Sequence, residues 1–292
     1  MYELIQAGQH TYYIDCPTKV GIYRTGSDKV WLIDSGNDKD GGRKALKIVR
    51  EQGWEVEGIL NTHSNADHIG GNNFIQSRTG CAVVSTPVEN AFTQTPILEA
   101  SFLYGGYPCG ALRNKFLLAQ PSQPTGTVET ALPEGLAVFD LPGHYFGMVG
   151  VRTSDNVCFL ADCVFSETVL EKYHLSFIYD VRAFLETLDL VEGMQASLFV
   201  PSHAPAAQDI RPLAAVNRAK VLEIAAFLEG QCTQPRTFEE LLKQTFDHYG
   251  LTLDFNQYVL VGSTIRSYLS YLCDQGKIAF SFGENRMVWQ QV

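Results

Sequence analysis

The chain is short of several things, and each shortage excludes something. No apolar run approaches the roughly 20 residues a membrane-spanning helix needs, so no membrane partner is expected. The N-terminal stretch MYELIQAGQHTYYID has no basic run followed by an apolar core. A secretory leader is therefore not expected, and a cytoplasmic location is. The seven cysteines (16, 81, 109, 158, 163, 232 and 273) are odd in number, scattered and without a C-x-x-C pair. That argues against a disulfide framework or a thiolate zinc site and for reduced thiols, mostly buried. Positive charge is scarce: Lys and Arg number 22 against 32 Asp and Glu, a formal net charge of −10. Such a field repels nucleic acid on average, so a nucleic-acid partner is not expected without a local basic patch. There is no G-x-S-x-G, so no serine nucleophile elbow. Internal repeats and low-complexity tracts are also missing.

What is present fits a globular protein of more than one part. The 292 residues are 45% hydrophobic and 18% charged, enough for a sizeable core and an appendage. Residues 11–15, 20–24 and 29–34 are short β-branched and aromatic runs, the last two joined by the turn sequence TGSD. Ala45, Ile48, Val49 and Gln52 share one helical face, and Gly53 is a plausible stop. Strands are expected over 56–60 and 81–86, with a helix opening between them. Residues 87–130 hold five prolines and loose aromatics (Phe92, Phe102, Tyr104, Tyr107, Phe116). They read as an insertion, either a surface cluster or a functional lid or homodimer contact. Strands return at 136–141, 149–153, 157–162 and 196–203. Strands first, then helices, suggest packed sheets with helices outside.

After about residue 207 the pattern changes. Ile210, Leu213, Val216, Val221, Ile224, Phe227 and Leu228 fall on one side of a helix, with Pro212 in its first turn. Thr237 and Glu240 form a capping-box pattern ahead of a second helix that ends at Gly250. A third helix covers about 256–275. KIAFSF and RMVWQQ, joined by GEN, make a hairpin. Residues 208–292 therefore read as a C-terminal helical module of winged-helix outline.

The chemistry sits just past the strands. Strand 56–60 runs into LNTHSNADHIGG, which delivers His63, Asn65, Asp67 and His68. Strand 136–141 leads to Pro142, Gly143 and His144. Strand 157–161 ends at Asp162, and strand 196–200 leads to His203. Ends of neighbouring strands share one sheet edge, so these groups can converge. Imidazole nitrogen and carboxylate oxygen are the donors that zinc, iron or manganese take. His10, His174 and His248 lack this context and read as structural or surface residues. Cys163 reads as a small buried residue. Tyr173, Tyr179 and Asp180 are explained as well by packing as by a site.

The order H-x-N-x-D-H-x-G-G, P-G-H, A-D, S-H resembles the metallo-β-lactamase superfamily, whose hydrolytic members include glyoxalase II. The resemblance covers residues 10–205. It implies an α/β (α+β) fold, a four-layer αββα sandwich over residues 1–207, with 87–130 as a lid-like insertion. It implies one metal site from the first motif's two histidine positions, His63 and Asn65, with His144. It implies a second from Asp67, His68 and His203, with Asp162 bridging. Asp67 would also orient the attacking water. Asp34, in WLIDSG, would support the ligands from behind.

Two departures from the family pattern stand out. Asn65 occupies a histidine position, and an amide oxygen is a poorer zinc donor than imidazole. Met148 replaces a later histidine that is not usually a ligand. Three outcomes stay open: one metal in the second site, two metals with a weak first, or a metal-poor descendant. One or two divalent ions are expected, zinc first, then iron or manganese. The expected activity is metal-dependent hydrolysis of a small ester, thioester or lactone. The alternatives are a phosphodiesterase or ribonuclease and a non-catalytic metal-binding protein. The nuclease reading needs Arg24, Lys29, Arg113, Lys115, Arg152 and Arg266 to cluster near the metals. A true β-lactamase is not expected without an export signal.

Overall fold

The computed structural model describes residues 2–292. Its first sheet has seven strands in sequence order: β1 (Glu3–Gln6), β2 (Thr11–Asp15), β3 (Val20–Arg24), β4 (Lys29–Ile33), β5 (Glu55–Leu60), β6 (Ala82–Ser85) and β7 (Gly126–Thr127). The first four pair antiparallel, and β4 to β7 run parallel. The second sheet holds β8 (Leu136–Asp140), β9 (Val149–Thr153), β10 (Val157–Phe165) and β11 (Leu198–His203), in the order β11-β10-β9-β8. Its β10–β11 pair is parallel and the others antiparallel.

Strand alternation makes the layers. In β4, Val30 and Leu32 face outward onto α1 (Lys39–Glu51), which supplies Ala45, Leu46 and Val49. Trp31 and Ile33 point inward, where they meet Val157, Phe159 and Val200 of the second sheet. This is the period-two consequence of a strand buried on both faces. On the far side of the second sheet, Cys158 and Leu160 pack against helices. The result is helix, sheet, sheet, helix: the expected four-layer αββα sandwich.

Local chemistry sets the element ends. Asp38 caps α1 by accepting from the Gly41 N–H at 2.9 Å, which starts the helix six residues before Ala45, the first residue of its apolar spacing. Gln52 lies past its end and is exposed. The single helix expected after residue 66 is two short ones, α2 (Ala66–Ile69) and α3 (Asn72–Thr79). Between them, Gly71 passes so close to the β4 turn that a Cβ would lie 2.2 Å from the Ser35 carbonyl oxygen. Only glycine fits that approach. The insertion contains α4 (Pro87–Gln94) and α5 (Ile97–Tyr104) and ends in β7. Neither β7 nor β1 stands out in the sequence; both are short edge strands.

The remaining helices are α6 (Glu167–Tyr173), α7 (Val181–Gly193), α8 (Arg211–Gln231), α9 (Phe238–Tyr249) and α10 (Phe255–Asp274), followed by the hairpin β12 (Ile278–Gly283) and β13 (Arg286–Gln291). Of these helices, α7 and α8 pack on the second sheet and the others pack around them. The Thr237–Glu240 capping box is formed at α9. The order helix, helix, helix, hairpin is present, but the module has no separate core. Leu160, Phe184, Ile224, Leu242 and Ile265 belong to one continuous cluster running from β10 through α7 to α10. No helix among the described residues is long and apolar enough to cross a membrane.

This shared core makes a prediction. Leu269 on α10 is fully buried in it. Leu269→Ala should cost about 2–5 kcal/mol. Denaturation followed by far-ultraviolet circular dichroism should still show one transition. Separate transitions for sandwich and module would contradict a common core.

Candidate metal centre

The site forms where the two sheets meet, with donors from both sheets and not from one sheet edge. It begins at Asp34, just past β4, with φ 61°. That left-handed conformation is uncommon outside glycine and persists only where neighbours hold it. The hold comes from three hydrogen bonds. Asp34 accepts from the Thr62 N–H, from Thr62 Oγ1 and from His68 Nδ1, each at 2.8 Å. One buried carboxylate thus fixes the start of the loop after β5 and the ring of His68.

The second sheet supplies the facing groups. Gly143 has φ 119°, and a Cβ there would come within 2.3 Å of the Phe184 backbone nitrogen. This turn delivers His144, whose Nδ1 donates to the Phe177 carbonyl at 2.8 Å. Asp162 is not at a strand end as its sequence context suggests. It lies inside β10, which continues to Phe165, and the pairing with β11 is irregular on both sides of Ala161. Ala161 itself has φ 48°. Such an irregularity re-aims side chains. It accompanies a buried Asp162 that faces the cluster from a strand otherwise wholly apolar.

Two groups of donors result: His63, His144 and Asp162, and Asp67, His68 and His203. Asp162 links them. Its Oδ1 is 3.1 Å from His68 Nε2, and its Oδ2 is 3.1 Å from His203 Nε2 and 3.7 Å from His144 Nε2. His203 Nε2 also lies 3.3 Å from Asp67 Oδ2, which accepts from Thr18 Oγ1 at 3.0 Å. The rings of His63 and His68 are 3.9 Å apart. His63 Nε2 is buried with no hydrogen-bond partner. A bare imidazole nitrogen among carboxylates is costly in a dry site unless a cation completes it. The donor set therefore fits a divalent metal.

The electrostatics differ between the groups. Burial lowers the pKa of His63 and His144, and their imidazole neighbours add to this. Burial alone would also lower His68 and His203, but the carboxylates outweigh it: His68 is raised well above its ordinary value and His203 to about 10. Burial alone would raise Asp67 and Asp162, but the adjacent imidazoles hold both well below the carboxylate range. The first group thus holds neutral rings, and the second a proton-sharing network.

The sequence profile of the Metallo-beta-lactamase superfamily matches residues 13–203, more than half of the chain. The chain belongs to the metallo-beta-lactamase superfamily. A beta-lactamase domain protein from Burkholderia ambifaria superposes with a TM-score of 0.77 at 17% identity, over 99% of this chain and 94% of that one. A metallo-beta-lactamase family protein from Thermus thermophilus gives 0.73 at 21% identity, over 97% and 99%. Both likenesses include the C-terminal helices and concern the fold. A hydroxyacylglutathione hydrolase of Methylococcus capsulatus is 44% identical over 39 residues, which is 13% of this chain and 15% of that protein's length.

Within this superfamily member, three neighbours of the cluster gave little sign in the sequence. Glu89 and Glu99 lie in the proline-rich insertion, yet both are buried. Glu89 accepts from Ser64 N and Oγ and from Gly147 N. Glu99 accepts from Asn65 Nδ2 at 2.8 Å. The only available signal was that Glu99 stands between Leu98 and Ala100 on a short helix; Glu89, followed by Asn90, lacks even that. Thr18, beside Asp67, carried none. Of the tyrosines left open, Tyr173 lines the cluster cavity, while Tyr179 lines a different one. Asp180 caps α7.

The role of Asp34 is testable. Asp34→Ala leaves Thr62 and His68 without their buried acceptor and should cost about 3–5 kcal/mol. Equilibrium denaturation measures this. A loss under about 1 kcal/mol, the worth of an ordinary hydrogen bond, would show that Asp34 does not hold the loop.

Proposed function

We propose that the protein is a metal-dependent hydrolase acting on a small ester, thioester or lactone. The observation that carries this is the double donor group joined at Asp162, lying against a cavity of about 620 Å³. Apolar side chains wall that cavity, among them Phe116, Leu117, Phe165, Tyr173 and Leu260. In this reading His63, Asn65, His144 and Asp162 hold one ion, and Asp67, His68, His203 and Asp162 the other. Zinc suits such nitrogen and oxygen donors; iron and manganese are the alternatives. The local likeness to a hydroxyacylglutathione hydrolase makes thioesters the first class to try.

An ion held there supplies an acidified water and a Lewis acid for the substrate carbonyl. The chain's own residues do the positioning. Asp67 is 41% exposed, whereas Asp162 and His68 are buried, so Asp67 is the carboxylate that meets cavity water. Thr18 occupies its Oδ2. The other oxygen can accept from a water and orient it toward the substrate. Held ionised by His68 and His203, Asp67 remains an acceptor across the neutral range. Phe177 and Thr62 lock the rings of His144 and His63, so these donors need no reorganisation on binding. Gln257, Leu260 and Val261 of α10 also line the cavity. The C-terminal module therefore shapes the substrate side of the site.

The nuclease alternative lacks its basic groove. Of the six cations that it needs together, only Lys115 lines this cavity. Lys29 is paired with Glu55, Arg24 lies over Trp54, Arg266 covers Phe238, and Arg152 bonds Asn156.

A panel of acyl-glutathiones, other thioesters, aryl esters and lactones tests the reading. Hydrolysis should appear, stop with a chelator and return with zinc or manganese. Asp67→Ala and His203→Ala should abolish it. Cleavage of RNA with none of the panel turned over would contradict the proposal. Proton competition gives a second test. His203 keeps its proton up to about pH 10 without an ion, so an incoming ion must displace it. Affinity should therefore rise with pH through the neutral range. Calorimetry in buffers of different ionisation enthalpy should show protons released. Binding without proton release would contradict this network.

A further inference from the structure

We propose that Glu99 is a positioning residue for the first metal site: it takes the amide N–H of Asn65 and so turns the amide oxygen onto His63, His144 and Asp162. Asn65 then supplies the donor that a histidine supplies in the family motif. The inference rests on the metal-binding reading above.

With Glu99 a carboxylate and both rings neutral, each proton around Asn65 follows from its partners. Thr62 Oγ1 gives its hydrogen to Asp34, so toward His63 it can only accept. His63 Nδ1 therefore carries the proton and Nε2 is bare. His144 Nδ1 donates to the Phe177 carbonyl, so in the neutral ring Nε2 is bare as well. Asn65 Nδ2 donates to Glu99, which leaves Oδ1 facing His144 Nε2 at 3.0 Å. Two lone-pair atoms thus sit at hydrogen-bond distance with no hydrogen between them. Asp162 Oδ2, a third acceptor, is 3.7 Å from the same nitrogen. A cation resolves such a meeting of acceptors.

Two further observations set Asn65 apart from an ordinary loop residue. It stands at the N-cap of α2, where asparagine normally accepts from its own helix, yet it makes no capping bond. Its amide is committed at both ends elsewhere. And Glu99 is a buried carboxyl on a largely apolar helix, with Asn65 as its side-chain partner. Such a group is expensive to bury without a task. Glu89, on the preceding helix, grips Ser64 in the same manner. The insertion thus holds two consecutive residues of the donor loop, and Glu99 aims the second. With two nitrogens and two oxygens, the first site also becomes less selective for zinc over manganese than a three-nitrogen set.

Binding of the metals alone tests this, without any substrate. Metal-free protein is titrated with zinc and, separately, manganese against a chromophoric chelator, and ions per chain are counted by elemental mass spectrometry. The wild type should bind two. Asp67→Ala identifies the second site by removing it. Glu99→Leu should weaken the first site roughly 10–100-fold and leave the second unchanged. Adding Asn65→His to Glu99→Leu should restore first-site zinc, because a ring nitrogen needs no amide to be turned; a fault in packing would not be rescued. If Glu99→Leu does not fold, Asn65→Ala should lose only the first ion. Unchanged affinities in Glu99→Leu or Asn65→Ala would overturn the inference. So would a wild type holding one ion that Asp67→Ala abolishes, though the hydrolase reading would survive. A wild type that binds no ion would end both.

Discussion

The structure depends on one buried carboxylate. Asp34 sits in a left-handed turn at the end of β4 and accepts two hydrogen bonds from Thr62 on the loop after β5 and one from His68 on α2. The donors of the first sheet inherit their geometry from that contact. It orients His68 directly. By engaging the Thr62 hydroxyl it also dictates the tautomer of His63. Strain in one backbone torsion is thereby exchanged for a loop whose side chains stand in place before any ligand arrives. Functional sites commonly store strain in this way.

Much of this could be read from the sequence, for identifiable reasons. The β-branched runs bounded by turn residues located most strands, and the D-H-x-G-G spacing marked the loop. Its glycine at 71 answers to a contact that admits no side chain. What could not be read depends on tertiary burial. Glu89 and Glu99 look like surface residues in a proline-broken stretch; only the fold puts them under the donor loop. Asp162 looks like a strand terminator because an aspartate interrupts an apolar run. The strand continues because the irregular pairing with β11 accommodates it. The short edge strands β1 and β7 carry too few residues for a pattern.

The C-terminal helices gain a meaning that their outline alone did not give. Helix periodicity and a capping box locate them, but periodicity does not say what a face packs against. Here the apolar faces close over the second sheet, and α10 reaches the cavity. The helical module and the proline-rich insertion pack against each other and both line the cavity beside the cluster. The insertion also braces the donor loop through Glu89 and Glu99.

The central claim is that the two donor groups are metal sites. Anomalous diffraction from crystals of protein purified without added metal, recorded across the zinc, iron and manganese edges, tests it most directly. The account predicts two peaks, one among His63, Asn65, His144 and Asp162 and one among Asp67, His68, His203 and Asp162. No peak at either position, even after soaking with zinc and manganese, would contradict it.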